Sequence, residues 1–339
     1  MTADYAIETA NLGRVYRLRE NKKKNQPKEL VALSNVNVQV PQGELFGLLG
    51  PNGAGKSTLI KILVTLLAPS TGWARVAGYD VVKDTNDARR HLNMAWGGEF
   101  PGCGLRTVRE PLWMSPQFYA IPSKKPNRRI DQLLEMFGLK DRAGTKSSDL
   151  STGLRQKMNI IRGFMTNPDV LFLDEPTLGL DVGAARDVRQ FVQQWMKEDP
   201  HRTVLLTTHT LVEADDLCDR IAIINKGKVL DCDTSHNLKK RLQHDAIFDI
   251  EVAGNREVNG NRYEALPGVN RLTYEPSDGF TTYKFVLDTD GTVADVVEAL
   301  TKDGLRIQNL QKREPTLEDV FVALVGRSMA EEEGTPHGQ

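Results

Sequence analysis

The sequence has 339 residues, enough for about two domains of roughly 100 to 200 residues each and for a sizeable buried core. Its 40% hydrophobic and 26% charged residues are typical of a folded globular protein and exclude a disordered or collagen-like chain. The 44 basic and 45 acidic residues leave a formal net charge of -1, so we expect no nucleic acid as the primary partner. No apolar run reaches the roughly 20 residues that a membrane-spanning helix needs.

Short apolar runs alternate with helical patterns in the first two thirds of the chain. The run from Glu44 to Leu49 predicts a buried strand, and the leucines and isoleucines after Lys56 recur at helical spacing as far as Pro69. Two further runs, Val170 to Leu173 and Thr203 to Leu206, predict fully buried strands of a mostly parallel sheet. The alternation predicts an α/β core with helices on both faces of the sheet.

Changes in pattern along the chain predict the domain boundaries. We expect an α/β domain over residues 1–240, with a mainly helical insertion at about 97–167 that includes a helix from Arg129 to Phe137. After it we expect a small α+β domain over 245–327. Its strands are predicted around Ile247 to Val252 and Tyr283 to Leu287, and its helix from Val293 to Leu300. The acidic, glycine-containing tail, 328–339, is predicted to be disordered.

A glycine-rich segment stands between the first predicted strand and the helix after it. It matches the pattern GxxxxGK followed by Ser or Thr through Gly50, Pro51, Asn52, Gly53, Ala54, Gly55, Lys56 and Ser57, with Thr58 next. Small residues let backbone N–H groups turn onto phosphate oxygens, and the helix N-terminus adds partial positive charge. We expect Lys56 to reach the β- and γ-phosphates and Ser57 to offer its hydroxyl to Mg²⁺. A chance glycine-rich turn is the alternative, but its position between strand and helix favours a nucleotide site.

Two carboxylates follow a second buried strand. Asp174 and Glu175 come directly after the run Val170 to Leu173, at the carboxyl end where α/β sheets bind their ligands. Asp174 is suited to hold Mg²⁺, because this hard cation prefers oxygen ligands. Glu175 can accept a proton from an attacking water. An acidic pair at a strand end is often only a solvated turn, so this interpretation depends on the phosphate-binding segment upstream.

Three further segments follow in a fixed order. Leu150 to Gln156 reads LSTGLRQ at a helix start with Ser151 as N-cap, Leu178 to Asp181 follows the acidic pair, and His209 ends the third predicted strand. With the P-loop and acidic pair, this set resembles the ATP-binding cassette (ABC) ATPases over roughly residues 5 to 235. The resemblance implies a P-loop NTPase (RecA-like) ABC nucleotide-binding domain, with ATP and Mg²⁺ as cofactors.

The resemblance also implies roles for single residues. Two such domains pair head to tail in this family, so that each ATP lies between the P-loop of one subunit and the signature of the other. Ser151 and Gly153 would then touch the γ-phosphate across the interface, and the D-loop Asp181 would join the nucleotide contacts. His209 would steady the γ-phosphate. Tyr16 would stack on the adenine, although an ordinary core tyrosine is the alternative.

The sequence departs from the family pattern at two places. The usual Q-loop glutamine is missing from the segment Met94 to Glu99, which leaves Glu99 as the nearest polar side chain for Mg²⁺ or water. Thr152 and Leu154 replace a Gly and a Gln of the signature, and this variant resembles the ATPase subunits of type-2 exporters, the group that contains daunorubicin-resistance ATPases. The segment Glu314 to Phe321 resembles the end of their extra domain. Within it we predict Thr316 as a helix N-cap and Asp319 as its capping partner.

These features predict an ATP-hydrolysing exporter subunit that drives a separate transmembrane permease by closing and reopening a dimer. Its partners would be that permease and a second ATPase subunit, identical or different, and the chain would lie at the cytoplasmic face of the membrane. One alternative is a soluble ABC-family ATPase of translation or DNA repair, although such proteins usually carry two cassettes or long heptad arms. Another is an ATP-binding regulator that is not coupled to a permease.

Overall fold

The structure is a computed structural model that describes residues 5–17, 29–96, 106–118, 124–242, 246–253, 260–277 and 279–326. The predicted tail, 328–339, lies outside these residues. The chain divides into two compact units, a first unit over residues 1–235 and a second unit, His236–Gly326. None of the helices in the described ranges is long and apolar enough to span a membrane.

The first unit alternates strands with helices, as expected for an α/β fold. Its described strands are β1 (Tyr5–Arg17), β2 (Glu29–Pro41), β3 (Leu45–Leu49), β4 (Thr71–Val76), β5 (Tyr79–Asp80), β6 (Leu92–Trp96), β7 (Val170–Asp174), β8 (Thr203–Thr208), β9 (Arg220–Asn225) and β10 (Lys228–Asp233). Its described helices are α1 (Lys56–Leu63), α2 (Thr85–His91), α3 (Arg109–Phe118), α4 (Lys124–Met136), α5 (Thr152–Phe164), α6 (Val182–Glu198) and α7 (Leu211–Leu217), and α8 (Ser235–Lys240) continues into the second unit.

A six-stranded, mostly parallel sheet forms the centre of this unit. Its order is β10-β9-β3-β8-β7-β6, in which β9, β3, β8, β7 and β6 run parallel and β10 is antiparallel. The three strands predicted from apolar runs, β3, β7 and β8, lie side by side at its centre. Because parallel strands end at the same edge, the segments that follow these three strands are brought together there.

A second sheet, of order β2-β1-β4-β5, is antiparallel and was not predicted. The pairing of β1 with β2 changes register between Thr9 and Leu12 and again between Arg14 and Val15. These irregularities break the two-residue alternation by which a strand is recognised in a sequence. The strand β6 was also missed, and it completes the edge of the parallel sheet beside β7.

The helix α1 packs between the two sheets. Its buried face, which includes Leu59 and Ile62, shares one core with Ile7 of the antiparallel sheet and with Phe172 of the parallel sheet. The prediction that this helix continues to Pro69 was wrong, because α1 ends at Leu63.

The early end of α1 is explained by a turn at Thr65 that a side chain of α2 holds. Thr65 adopts a left-handed conformation with φ of 64°, and the N–H of Leu66 turns back to the carbonyl of Lys61. The side chain of Arg89 holds this turn by donating to Oγ1 of Thr65 at 2.7 Å. A contact with α2 therefore ends the helix where the apolar spacing alone would continue it.

The predicted insertion contains helices in the parts that the structure describes. The helix α4 begins earlier than the predicted Arg129, at Lys124, and it ends at Met136. Short 3₁₀ turns, Lys140–Arg142 and Ser147–Asp149, connect it to α5. Gly163 of α5 packs closely on β6, since a Cβ atom there would lie 2.9 Å from that of Ala95.

The second unit is an antiparallel sheet with helices, in agreement with the predicted α+β class. Its order is β12-β13-β11-β14. The described elements are β11 (Ala246–Ala253), α9 (Gly260–Glu264), β12 (Val269–Ser277), β13 (Phe280–Leu287), a 3₁₀ turn (Asp290–Thr292), α10 (Val293–Lys302), β14 (Ile307–Arg313) and α11 (Leu317–Val325). Alternate residues of β11 and β13 share a core with Tyr263 and with Val296 and Leu300 of α10.

The last helix begins at the predicted cap. The Thr316 side chain accepts from the N–H of Asp319, and the Asp319 carboxylate accepts from the N–H of Thr316 at 2.7 Å, which completes a capping box. The same carboxylate pairs with Arg313, whose Nε atom also donates to Asp249 on β11 at 2.9 Å. This ion-pair network connects α11 to the sheet.

Candidate functional site

The segment 50–57 connects the carboxyl end of β3 to the start of α1. Gly53 and Gly55 have positive φ values of 79° and 111°, which glycine adopts without steric cost. A Cβ atom at Gly55 would also lie 2.8 Å from the carbonyl oxygen of Ala32. This turn presents the N-terminus of an α-helix, with its N–H groups unpaired within the helix, at the ligand edge of the sheet.

Lys56 lies inside this loop. Its side chain is 5% exposed, and its Nζ atom donates to the carbonyl oxygen of Gly50 at 2.5 Å and to that of Pro51 at 3.2 Å. The loop backbone therefore holds the ammonium group in a fixed position. A buried positive charge beside a helix N-terminus favours an anionic ligand.

The predicted acidic pair ends β7, next to β8. Oδ1 of Asp174 accepts a 2.5 Å hydrogen bond from the hydroxyl of Thr207, and the carbonyl of Thr207 accepts from the N–H of Glu175 at 3.0 Å. Glu175 has a left-handed φ of 50°, which is uncommon for a residue other than glycine. Such a conformation costs free energy and is found preferentially at functional sites. Thr207 therefore orients one carboxylate and holds the backbone turn that carries the other.

The three residues predicted to act in catalysis form one cluster. Oε1 of Glu175 lies 3.9 Å from Nζ of Lys56, and Oε2 of Glu175 lies 3.4 Å from Nδ1 of His209. That ring nitrogen is buried and makes no hydrogen bond of normal geometry. Glu175 thus lies between the P-loop lysine and the histidine that follows β8.

An open cleft of about 280 Å³ lies over the P-loop. Tyr16 and Glu175 line it together with Leu30, Val31 and Ala32 of β2, the loop residues Pro51, Asn52, Gly53, Ala54, Gly55, Lys56 and Ser57, and Thr58 of α1. The Arg14 guanidinium lies 4.9 Å from the centre of the Tyr16 ring. The structure therefore brings Tyr16 to the cleft, and it adds exposed apolar residues of β2 that the sequence did not indicate.

The predicted signature and D-loop residues lie elsewhere on the unit. Ser151 caps α5 by accepting from the N–H of Leu154 at 3.4 Å, and Asp181 caps α6 by accepting from the N–H of Ala184 at 2.8 Å. Neither they nor Gly153 line the cleft of their own chain, and Gly50, which is buried, does not line it either. The helix start predicted at Ser151 is confirmed, whereas contact with a nucleotide stays a prediction for all three residues.

Other residues differ from expectation or were missed. Glu99, proposed as a metal ligand, lies outside the described residues. Thr207 and Gln156 were not singled out, although Gln156 is buried and donates to the carbonyl of Pro176 at 2.9 Å. The available signal for Thr207 was its position directly after the apolar run that ends at Leu206.

Comparison with known proteins identifies the family. A family model described as ABC transporter matches residues 33–178, and a model of the DrrA1-3-like ATP-binding protein C-terminal domain matches residues 234–325. The daunorubicin resistance ATP-binding protein DrrA3 of Streptomyces coeruleorubidus is 33% identical over 300 residues, which cover 87% of this chain and 91% of that protein. The chain belongs to the ABC transporter ATP-binding proteins. The linearmycin resistance ATP-binding protein LnrL of Bacillus subtilis is 31% identical over 313 residues, 91% of this chain and 98% of that relative.

Solved structures of ABC ATPases support the assignment of the chain to this family. An ATP-binding subunit of an ABC transporter matches with a TM-score of 0.60 at 29% identity, over 70% of this chain and 92% of that chain. A dimeric post-hydrolysis state of an ATP-binding cassette bound to ADP and Pi matches with a TM-score of 0.59 at 25% identity, over 67% of this chain and 98% of that chain. This ABC ATPase binds and hydrolyses ATP, and its family membership implies a partner permease and dimerisation.

Proposed function

We propose that the chain powers export through a separate transmembrane permease by an ATP-dependent closure of two ATPase subunits. The cluster of Lys56, Glu175 and His209, of which Lys56 and Glu175 line the cleft, supports this proposal most directly. Lys56 would bind the β- and γ-phosphates, and Tyr16 would stack on the adenine at the other side of the cleft. Stacking of a base on an aromatic ring contributes about 1–3 kcal/mol.

Two of the predicted residues, Ser57 and Asp174, have oxygen atoms that fit a magnesium ion. Ser57 at the start of α1 offers a hydroxyl, and Asp174 offers a carboxylate that Thr207 already orients. Oxygen atoms of this kind, together with phosphate oxygens, are the ligands that Mg²⁺ prefers. When bound, Mg²⁺ would neutralise charge on the β- and γ-phosphates. Glu99 would be a further ligand.

Glu175 would be the general base of hydrolysis. Its carboxylate is 21% exposed, so it is accessible to a water molecule, and it lies within 4 Å of the buried ammonium of Lys56. It would orient the attacking water and accept its proton. His209 would contact the γ-phosphate, because its Nδ1 atom lies 3.4 Å from the Glu175 carboxylate and makes no hydrogen bond of normal geometry.

A second ATPase subunit would complete the site. Ser151, Gly153 and Asp181 lie away from the cleft of their own chain, and Ser151 stands at the N-terminus of a 13-residue helix. A helix N-terminus is a favourable position for an anionic phosphate. In a head-to-tail pair, the closed form would be stabilised because only that form contacts both ends of each ATP.

The relatives reported above are named for resistance to daunorubicin and to linearmycin, which favours an exporter over a regulatory ATPase without a permease. The chain would then lie at the cytoplasmic face of the membrane, held there by its permease. The test is to isolate the complex from membranes and identify its components. If the chain is recovered together with a multispanning protein that stimulates its ATP hydrolysis, the proposal is supported. Recovery of the chain without such a protein, with its full ATPase activity, contradicts it.

A further inference from the structure

Tyr16 is the aromatic group that the cleft offers to a nucleotide base. It is the only aromatic side chain among the described residues that line the cleft. Leu30, which pairs with Tyr16 across β1 and β2, also lines the cleft and is 51% exposed. The cleft thus combines a flat ring with an aliphatic side chain next to it. The orientation of the ring decides how well a base can stack on it.

A guanidinium group packs on the Tyr16 ring. The guanidinium carbon of Arg14 lies over the ring, 4.9 Å from its centre, which is within the range of a cation–π contact. Arg14 is not among the described residues that line the cleft, whereas Tyr16 is. The contact therefore leaves part of the ring accessible from the cleft.

The guanidinium group of Arg14 is anchored at its other end. Its Nη1 atom donates a hydrogen bond to the carbonyl oxygen of Ala68 at 2.8 Å. The N–H of the next residue, Val15, donates to Oγ of Ser70 at 3.0 Å. Both acceptors belong to the connection between α1 and β4. The end of β1 and the Arg14 side chain are therefore held by one segment, which follows the helix of the P-loop.

Hydrogen bonding alone does not explain the position of the Arg14 side chain. Its Nε atom is buried and makes no hydrogen bond of normal geometry. A buried donor without a partner costs free energy, so another interaction must favour this arrangement. The stacking of the guanidinium on the Tyr16 ring is such an interaction, because a guanidinium is planar and weakly hydrated.

We propose that Arg14 is a positioning residue for the nucleotide base, which holds the Tyr16 ring in the orientation that stacks on adenine. This inference rests on the proposed stacking role of Tyr16. A side chain that is ordered before the ligand binds loses less conformational entropy on binding, so its contact contributes more to affinity. Arg14 thus strengthens binding of the base without touching the nucleotide.

The test compares a ligand that has a base with one that has none. Titration calorimetry of the full chain measures the Kd of a non-hydrolysable ATP analogue and of inorganic tripolyphosphate, both with Mg²⁺. We expect Arg14→Met to weaken binding of the ATP analogue about 3-fold to 10-fold, the usual effect of losing the order of one side chain. The Kd of tripolyphosphate should not change. Methionine keeps an unbranched apolar stem, so the packing of that stem is retained.

Arg75→Met is a matched control on the same antiparallel sheet. The Arg75 guanidinium lies 4.9 Å from the centre of the Trp73 ring, and neither residue lines the cleft. The control removes an equal charge and a similar cation–π contact, and it should leave both Kd values unchanged. If Arg14→Met does not fold, Arg14→Lys keeps the charge and a donor for Ala68 but loses the planar guanidinium. This variant should weaken binding of the ATP analogue about 2-fold to 3-fold.

Three results would overturn the inference. Wild-type affinity for the ATP analogue in Arg14→Met, or in Arg14→Lys if the Met variant does not fold, would show that Arg14 does not act on the base. An equal loss of affinity for the ATP analogue and for tripolyphosphate would show that Arg14 acts on the phosphates or on the fold. Tighter binding of the ATP analogue would show that the guanidinium covers the face of the ring that the base needs.

A failure of the proposed function would look different. Tyr16→Ala removes the ring itself and should weaken binding of the ATP analogue but not of tripolyphosphate. In that background, Arg14→Met should cause no further loss, since the two residues act through one contact. If Tyr16→Ala has the expected effect and Arg14→Met has none, only the positioning role is wrong. If Tyr16→Ala binds the ATP analogue as tightly as the wild type, the stacking role is wrong, and the positioning role is wrong with it.

Discussion

The Oε2 atom of Glu175 lies 3.4 Å from Nδ1 of His209, although the two residues follow different strands of the parallel sheet. Neighbouring parallel strands end at the same edge, so β7 and β8 deliver the two side chains to one point. The other carboxylate oxygen faces Lys56 at 3.9 Å. Removal of any one of these three groups should therefore have its own kinetic effect.

We expect Glu175→Gln to lower kcat by about 100-fold to 10,000-fold, the usual contribution of a general base. ATP binding should persist, because the amide keeps the size of the side chain and Lys56 is unchanged. ATP-bound dimers should then accumulate, as measured by size-exclusion chromatography with radiolabelled nucleotide. The exposed Glu298→Gln serves as the control. Turnover at the wild-type rate in Glu175→Gln would refute the assignment.

Lys56→Ala should weaken ATP binding about 10-fold to 100-fold, because hydrogen bonds to charged groups contribute about 1.5–3 kcal/mol each. Titration calorimetry with a non-hydrolysable ATP analogue measures this loss. Lys61→Ala, at an exposed position of the same helix, removes an equal charge outside the cleft and should leave the Kd unchanged. Equal affinities for wild type and Lys56→Ala would count against the phosphate role.

Thr207→Val should raise the Mg²⁺ concentration needed for half-maximal hydrolysis by about 10-fold or more, as expected when a partner that orients a metal ligand is lost. The measurement is ATPase activity during Mg²⁺ titration after removal of the metal with EDTA. Thr203→Val, at the start of the same buried strand, controls for the loss of a threonine hydroxyl. Identical Mg²⁺ dependence in Thr207→Val and wild type would exclude a role for this hydroxyl in orienting Asp174.

The ion-pair network of the second unit predicts a stability effect without a catalytic one. Arg313→Met should destabilise this unit by about 3–5 kcal/mol, because it leaves the partly buried carboxylates of Asp249 and Asp319 unpaired. Hydrogen exchange of α11 reports the change. The neighbouring Lys312→Met, which removes an exposed ion pair, should have little effect. Equal protection of α11 in the two variants would contradict this account.

The pH dependence of the same unit follows from Asp319. Burial by itself raises the pKa of Asp319, but the hydrogen bonds from Arg313 and Thr316 lower it more, so the net pKa lies below the ordinary value. A carboxylate with a lowered pKa stabilises the fold above its unfolded pKa of about 3.9, and this stabilisation is lost as pH falls toward the folded pKa. The free energy of unfolding of the Asp319→Asn variant should therefore fall less steeply toward acidic pH than that of the wild type. If the free energy of unfolding depends on acidic pH equally in the two proteins, another group controls this dependence.

The sequence predicted those parts of the site that depend on local order along the chain. The P-loop, the acidic pair and His209 each follow a short apolar run, and such runs identify buried strands whose ends meet. The antiparallel sheet was missed because register shifts in β1 interrupt its alternation. The end of α1 at Leu63 and the hydrogen bond from Thr207 to Asp174 depend on contacts between distant segments, which no local pattern encodes.

The central claim is that ATP is enclosed by the P-loop of one copy and the Ser151 helix of a second. A structure of the Glu175→Gln variant with Mg²⁺ and ATP tests it most directly. We expect two copies related head to tail, with Ser151 of each within hydrogen-bonding distance of the γ-phosphate bound at Lys56 of the other. Nucleotide bound at Lys56 while Ser151 faces solvent or its own subunit would contradict the account.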